Sequence, residues 1–187
     1  MANAKHLLMT AAEELFFQYG FKRVSVNEIC KKANCSRKTF YSHFANKQDI
    51  VVAVLDNSFT HALARYKNVP EDLSFGEKME QVIQIKFEFS QRITMQFLSD
   101  LYDDSYKQIA QYLQRVMTEN DDWFRQMISE GQKKGEVFKD LNIDIYIYLI
   151  YNLQDFYKRK EFMDLFKNSR DMIKQLSKLL IYGIVCD

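Results

Sequence analysis

Residues 25–47 read SVNEICKKANCSRKTFYSHFANK, and this stretch decides the fold because it holds three helix starts and a tight turn. Ser25 opens the first helix: its hydroxyl can accept from the free amides while Glu28, three residues on, reaches back in the capping-box pattern. Val26, Ile29, Cys30 and Ala33 then fall on one helix face. Asn34 follows, and Asn is the non-glycine residue that best tolerates the left-handed conformation of an interhelical turn. Ser36 opens a second short helix that points Phe40 and Phe44 inward and leaves Arg37, Lys38, Tyr41 and Ser42 on other faces. Asn46 opens a third, with Asp49 at its third position. Short helices do not stand alone in water, so these need a brace. Leu8, Ala11, Ala12, Leu15, Phe16 and Tyr19 supply one at helical spacing, closed by Gly20. The result is a three-helix head built around a helix-turn-helix.

Two features of the head are unexplained by packing. Tyr41 faces outward beside two cations, and Lys47 sits in the first turn of its helix, where the dipole disfavours a positive charge. An anion near Lys47 would resolve that conflict, and free amides plus this ammonium read as a phosphate clamp. Charge is distributed accordingly. Residues 1–50 carry eight Lys/Arg against four acids, and the remainder carries 18 against 21, so a whole-chain net charge of +1 conceals a basic head on an acidic body.

The residues Ala12, Leu15, Phe16, Gly20-Phe21, the 25–29 run, Thr39-Phe40-Tyr41, His43-Phe44 and Asn46-Lys47 resemble the N-terminal pattern of the tetracycline-repressor (TetR) family of bacterial regulators. The resemblance covers nearly the whole first fifty residues and continues weakly in the 130–136 segment and the closing LLIYG. Asn34 stands where the family usually has glycine, and both accept positive φ. The resemblance implies an all-α fold: an N-terminal three-helix helix-turn-helix head (1–46) joined by a bridging helix to a larger helical ligand-binding and dimerisation domain (47–187). It implies a cytoplasmic, DNA-binding transcriptional regulator, most simply a repressor. Arg37, Lys38 and Thr39 are the candidates for base edges, with Arg37 or Lys38 at guanine. Ser25, Ser36, Tyr41, Ser42, His43 and Lys47 complete the expected DNA surface, although His43 reads equally well as a half-buried packing residue.

The single proline, Pro70, marks the end of a helix expected over about 47–66. Beyond it, Phe75, Met79, Val82, Ile83 and Phe87 mark one helix face, with Ile85 and Phe89 making that helix apolar nearly all round. A long stripe from Tyr106 to Met127 runs toward Gly131 and Gly135. Residues 141–158, LNIDIYIYLIYNLQDFYK, are too apolar for a helix with one wet side, and another stripe runs through Met172, Ile173, Leu176, Leu179 and Leu180. These last two helices are expected to form a two-fold four-helix interface through Leu149, Leu153, Phe156, Ile173, Leu176 and Leu180. The alternative is that they bury within one chain. A homodimer would set two heads about 34–36 Å apart and ask for a palindromic double-stranded operator.

TetR-like bodies usually enclose a cavity for a small effector, here expected to be hydrophobic or aromatic. Phe89, Phe97, Tyr112, Asn120, Trp123 and Tyr151 are candidate lining residues, with Lys86 and Asn120 as its polar groups. Ordinary packing, or snorkelling of Lys86, is the competing reading for each. No other cofactor is expected. Three scattered histidines, no Gly-rich phosphate loop and no nucleophile elbow argue against an enzyme. Cys30 and Cys35 lack a second metal-ligating pair and read as small buried hydrophobes, with a thiol switch as the alternative. Cys186 reads as an exposed thiol near the end. No stretch is long and apolar enough to span a bilayer. An architectural DNA-binding role without an effector, or a helical protein-binding module, are the competing functional classes.

Overall fold

The computed structural model describes residues 3–185, without the side chains of Leu63, Lys67 and Gln154; Cys186 lies outside the described residues. Ten helices follow in order: α1 (Ala4–Tyr19), α2 (Val26–Lys32), α3 (Arg37–Tyr41), α4 (Lys47–Lys67), α5 (Phe75–Ser90), α6 (Met95–Leu101), α7 (Lys107–Lys134), α8 (Ile143–Tyr157), α9 (Lys160–Met163) and α10 (Ser169–Tyr182). No strand occurs among the described residues; one isolated antiparallel bridge joins Val137 to Val185. The fold is all-α.

Each expected helix start in the head is present. Ser25 and Glu28 form a reciprocal capping box on α2, Ser36 accepts from the Thr39 amide on α3, and Asn46 accepts from the Asp49 amide on α4. Asn34 takes φ 51°, which sets the turn between α2 and α3. Gly20 closes α1 with φ 78°, and a Cβ there would lie 2.5 Å from Asp100 Oδ2, so glycine is required twice over. Gly135 ends α7 in the left-handed conformation.

The head core does not stop at the head. Leu8, Phe16, Phe21, Ile29 and Phe40 are fully buried in one apolar cluster that continues through Ile50 and Leu55 of α4 into Phe97 of α6 and Ile109 of α7. Edge-to-face rings carry this continuity: Phe17 to Phe97 at 4.9 Å and Phe21 to Tyr106 at 5.0 Å between centroids. A second cluster, with Phe75, Ile128, Val137, Ile147 and Ile181, closes the far end of the body. Ser169 pins α10 to the end of α5 by donating to the Ser90 and Ile93 carbonyls at 2.9 and 2.7 Å.

Candidate nucleic-acid interface

Helix α3 is five residues long, and its N-terminal turn is exposed. Phe40 is fully buried and Phe44 nearly so, whereas Tyr41 keeps 48% of its surface exposed. The Arg37 guanidinium lies 5.8 Å from the Tyr41 ring centroid, and its Nη2 is 3.5 Å from the phenol oxygen. Ring and cation therefore form one outward-facing unit. Ser36, Arg37, Lys38, Ser42 and His43 are also exposed, and Thr39 is half-buried. The Ser36 and Thr39 hydroxyls are 2.8 Å apart, and Ser42 donates to the Thr39 carbonyl at 2.8 Å, so this short helix is stiffened by its own side chains. Exposure of His43 favours the surface reading over the packing one. Ser25 is exposed, but its hydroxyl donates to Glu28 Oε2 at 2.7 Å, and the Ser25 amide and hydroxyl together hold the Glu28 carboxyl below its usual range. Its main task is the cap.

Lys47 requires a correction. Its ammonium donates to the carbonyls of Phe21, Lys22 and Val24 at 2.9, 3.1 and 3.0 Å, which engages all three protons. The Ala45 amide is likewise taken by Asp49 Oδ2 at 2.8 Å. What reconciles a cation with a helix N-terminus is thus a ring of main-chain carbonyls rather than a phosphate. Lys47 staples the α1–α2 loop to the start of α4, and burial draws its pKa down.

Behind that staple lies a polar hub that the sequence did not announce. Asp100 of α6, fully buried, accepts from the Lys22 amide at 2.9 Å and from Gln96 Nε2 at 2.7 Å. Lys22 Nζ is 3.8 Å from Asp100 Oδ1 and also pairs with Asp103. The Lys22 hydrogen bond, helped by the Ser105 amide, holds the Asp103 carboxyl at about 2. Head and body are therefore joined by hydrogen bonds as well as by rings.

The body contains a cavity of about 310 Å³ walled by α4, α5, α7, α8 and α10. Of the expected lining residues, Lys86, Asn120 and Tyr151 border it. Phe89, Phe97, Tyr112 and Trp123 do not. Phe97 is fully buried between Phe17 and Phe21, Phe89 packs on Phe17 and Phe59, Tyr112 stacks on Phe59, and Trp123 stacks on Tyr66. Their ring area is spent on the continuous core. Tyr66, Tyr102 and Tyr157, which sequence reading missed, line the cavity instead.

On α8 and α10, Leu153, Ile173, Leu176 and Leu180 are half-buried and border this space. Leu149 and Phe156 are exposed as expected, and they share the outer surface with Tyr148, Leu179 and Tyr182. Cys30 is buried with Sγ 3.8 Å from the Ser36 carbonyl, and burial pushes its pKa up, whereas Cys35 is half-buried.

Comparison with known proteins identifies the architecture. Residues 8–54 match the family described as bacterial regulatory proteins, tetR family. That match covers the helix-turn-helix, its brace and the start of α4. The head of this chain therefore resembles that of TetR-family regulators. The HTH-type transcriptional regulator UidR of Escherichia coli (strain K12) is 28% identical over 138 residues, covering 72% of this chain and 69% of its own. The fold of the chain is shared with the fatty acid degradation regulator FadR from Bacillus halodurans (TM-score 0.72, 17% identity, covering 98% and 97% of the two chains). It is also shared with FadR from Bacillus subtilis in complex with stearoyl-CoA (TM-score 0.67, 20% identity, covering 96% and 98%). The protein is a TetR-type DNA-binding transcriptional regulator and not an enzyme. None of its described helices is long and apolar enough to cross a membrane.

Proposed function

We propose that this protein is a homodimeric repressor that leaves a palindromic operator when a small molecule fills the body cavity. One observation carries the reading: the two ends of α4 serve different sites. At its first residue Lys47 fixes the loop that holds the helix-turn-helix, and near its end Tyr66 forms part of the cavity wall. The helix has 21 residues, so at 1.5 Å per residue it reaches about 30 Å. A ligand that displaces the Tyr66 end tilts a rigid lever whose other end carries the recognition helix. In a dimer that tilt alters the spacing of two heads, which must match successive major grooves about 34–36 Å apart.

Two further observations support the parts of this reading. Tyr148 is 67% exposed, Leu149 56% and Leu179 72%, an apolar outer strip on α8 and α10 suited to a copy of itself. A related fold, FadR of Bacillus subtilis, holds stearoyl-CoA, a small molecule. The test is an electrophoretic mobility shift with DNA from around the protein's own gene, alongside light scattering. A dimer bound to paired half-sites, released by a compound that also raises the protein's melting temperature, is the expected result. A monomer on DNA, or a cavity ligand that leaves the complex intact, overturns it.

A further inference from the structure

We propose that the cavity is built for an amphipathic monocarboxylate, its carboxylate held by Lys86 and its apolar body lying among the aliphatic and aromatic walls. This deepens the effector reading above and rests on it for the cavity's regulatory meaning.

Lys86 is the one charged side chain among the described residues bordering the cavity, whose other walls include Met79, Val82, Ile83, Met127, Ile147 and Leu176. Its ammonium lies 6.0 Å from the centroid of the Phe124 ring, a contact at the outer limit of a cation–π interaction. Among the described residues no carboxylate or carbonyl accepts from it; burial alone acts on its pKa and draws it down. Lys86 is half-buried along this wall, and an ammonium held among apolar side chains without a protein acceptor is costly, whereas a core that needed only filling would place leucine or methionine there. Lys86 is therefore a cation waiting for a partner that the chain does not supply.

The remaining polar groups narrow the class. Burial raises the pKa of the Tyr66, Tyr102 and Tyr157 phenols, the last to about 12, so all three remain neutral hydroxyls able to donate. Asn120 donates to the Val116 carbonyl at 2.6 Å, which fixes its amide. The cavity thus offers one positive charge and several hydroxyl donors. That set suits a carboxylate, which accepts only. A phosphate dianion would retain an uncompensated charge in a largely apolar site with a single cation, which is unfavourable. At about 310 Å³ the cavity lies at the small end of the range of ligand pockets, which suits a chain of medium length.

Isothermal titration of the full-length protein with decanoate and with decan-1-ol tests the assignment, repeated on Lys86→Met. Decanoate should bind about tenfold or more tighter than decanol. K86M should lose about tenfold or more for decanoate while its affinity for decanol changes little, and decanol binding also reports that the variant is folded. Equal affinities in the wild type, a preference that survives in K86M, or no binding of either compound overturns the assignment. DNA release separates this from the effector reading. Decanol that binds as well as decanoate and frees the operator removes the carboxylate inference and leaves effector control standing. Decanoate held through Lys86 with the DNA complex intact supports the site and removes the effector role.

Discussion

The head of this protein is solid and its body is hollow, although both are built from helices with apolar stripes. In the head, Leu8, Phe16, Phe21, Ile29 and Phe40 are fully buried against one another, and even the Asn34 turn and the Gly20 helix end are fixed by backbone requirements. In the body, helices α5, α7, α8 and α10 carry comparable apolar stripes, yet they leave about 310 Å³ of space between them. Interiors of folded proteins are ordinarily packed as densely as organic crystals. A docking surface read by DNA must keep one geometry, and dense packing provides it. A site that answers to a small molecule needs room that the chain itself leaves empty.

Truncating a ring in the solid region should have the largest effect. Phe21→Ala removes edge contacts to Phe16, Phe97 and Tyr106 at once, and about 3–5 kcal/mol of stability should be lost in urea unfolding. Leu153→Ala, at the cavity wall, should cost only about 1–2 kcal/mol, because the space it opens merges with space already present. Equal costs at the two sites would erase the contrast between head and body.

Next in size is the staple. Lys47→Met leaves the carbonyls of Phe21, Lys22 and Val24 without their shared donor, which should cost about 2–3 kcal/mol. Operator affinity should fall with stability, and the slope of affinity against salt should stay as in the wild type. A slope shallower by about one phosphate per head would instead return Lys47 to the DNA surface. Lys38→Ala should do the opposite. Lys38 is exposed on α3, so stability should change by less than about 0.5 kcal/mol while operator binding weakens by about 1–3 kcal/mol, with relaxed preference at one position per half-site.

The same contrast governs what could be read in the sequence. Helix starts are local chemistry, so Ser25 with Glu28, Ser36 and Asn46 were legible from spacing alone, as was the left-handed Asn34. Outward Tyr41 was legible because Phe40 and Phe44 define the inward side. The cavity was not legible. Lys86 and Asn120 stood out as polar groups on apolar stripes, but Phe97 and Trp123 have the same aromatic signature as Tyr151 and, unlike it, are consumed by packing. Whether an apolar face meets a neighbour, a void or a second subunit depends on how helices distant in sequence converge. Leu153, Ile173, Leu176 and Leu180 show that ambiguity: they read as an interface and, half-buried, also border the cavity. Lys47 shows the complementary failure: the conflict between cation and dipole was visible, but its resolution by carbonyls more than twenty residues away in sequence was not.

The smallest effect is also the most direct probe of the hollow. Ser177 on α10 is buried and borders the cavity, and methionine there is a better helix former with a flexible, apolar side chain. In a close-packed core, adding such a side chain forces strain of about 1–3 kcal/mol. Where the neighbouring volume is empty, the same change should bury new apolar surface and raise stability by about 0.5–1 kcal/mol. Ser177→Met should therefore raise the midpoint of urea unfolding, leave Lys38-dependent DNA binding unchanged, and weaken cavity ligands by occupying their space. A lowered midpoint would mean that α5, α8 and α10 already meet across that volume, and the body would then be as solid as the head.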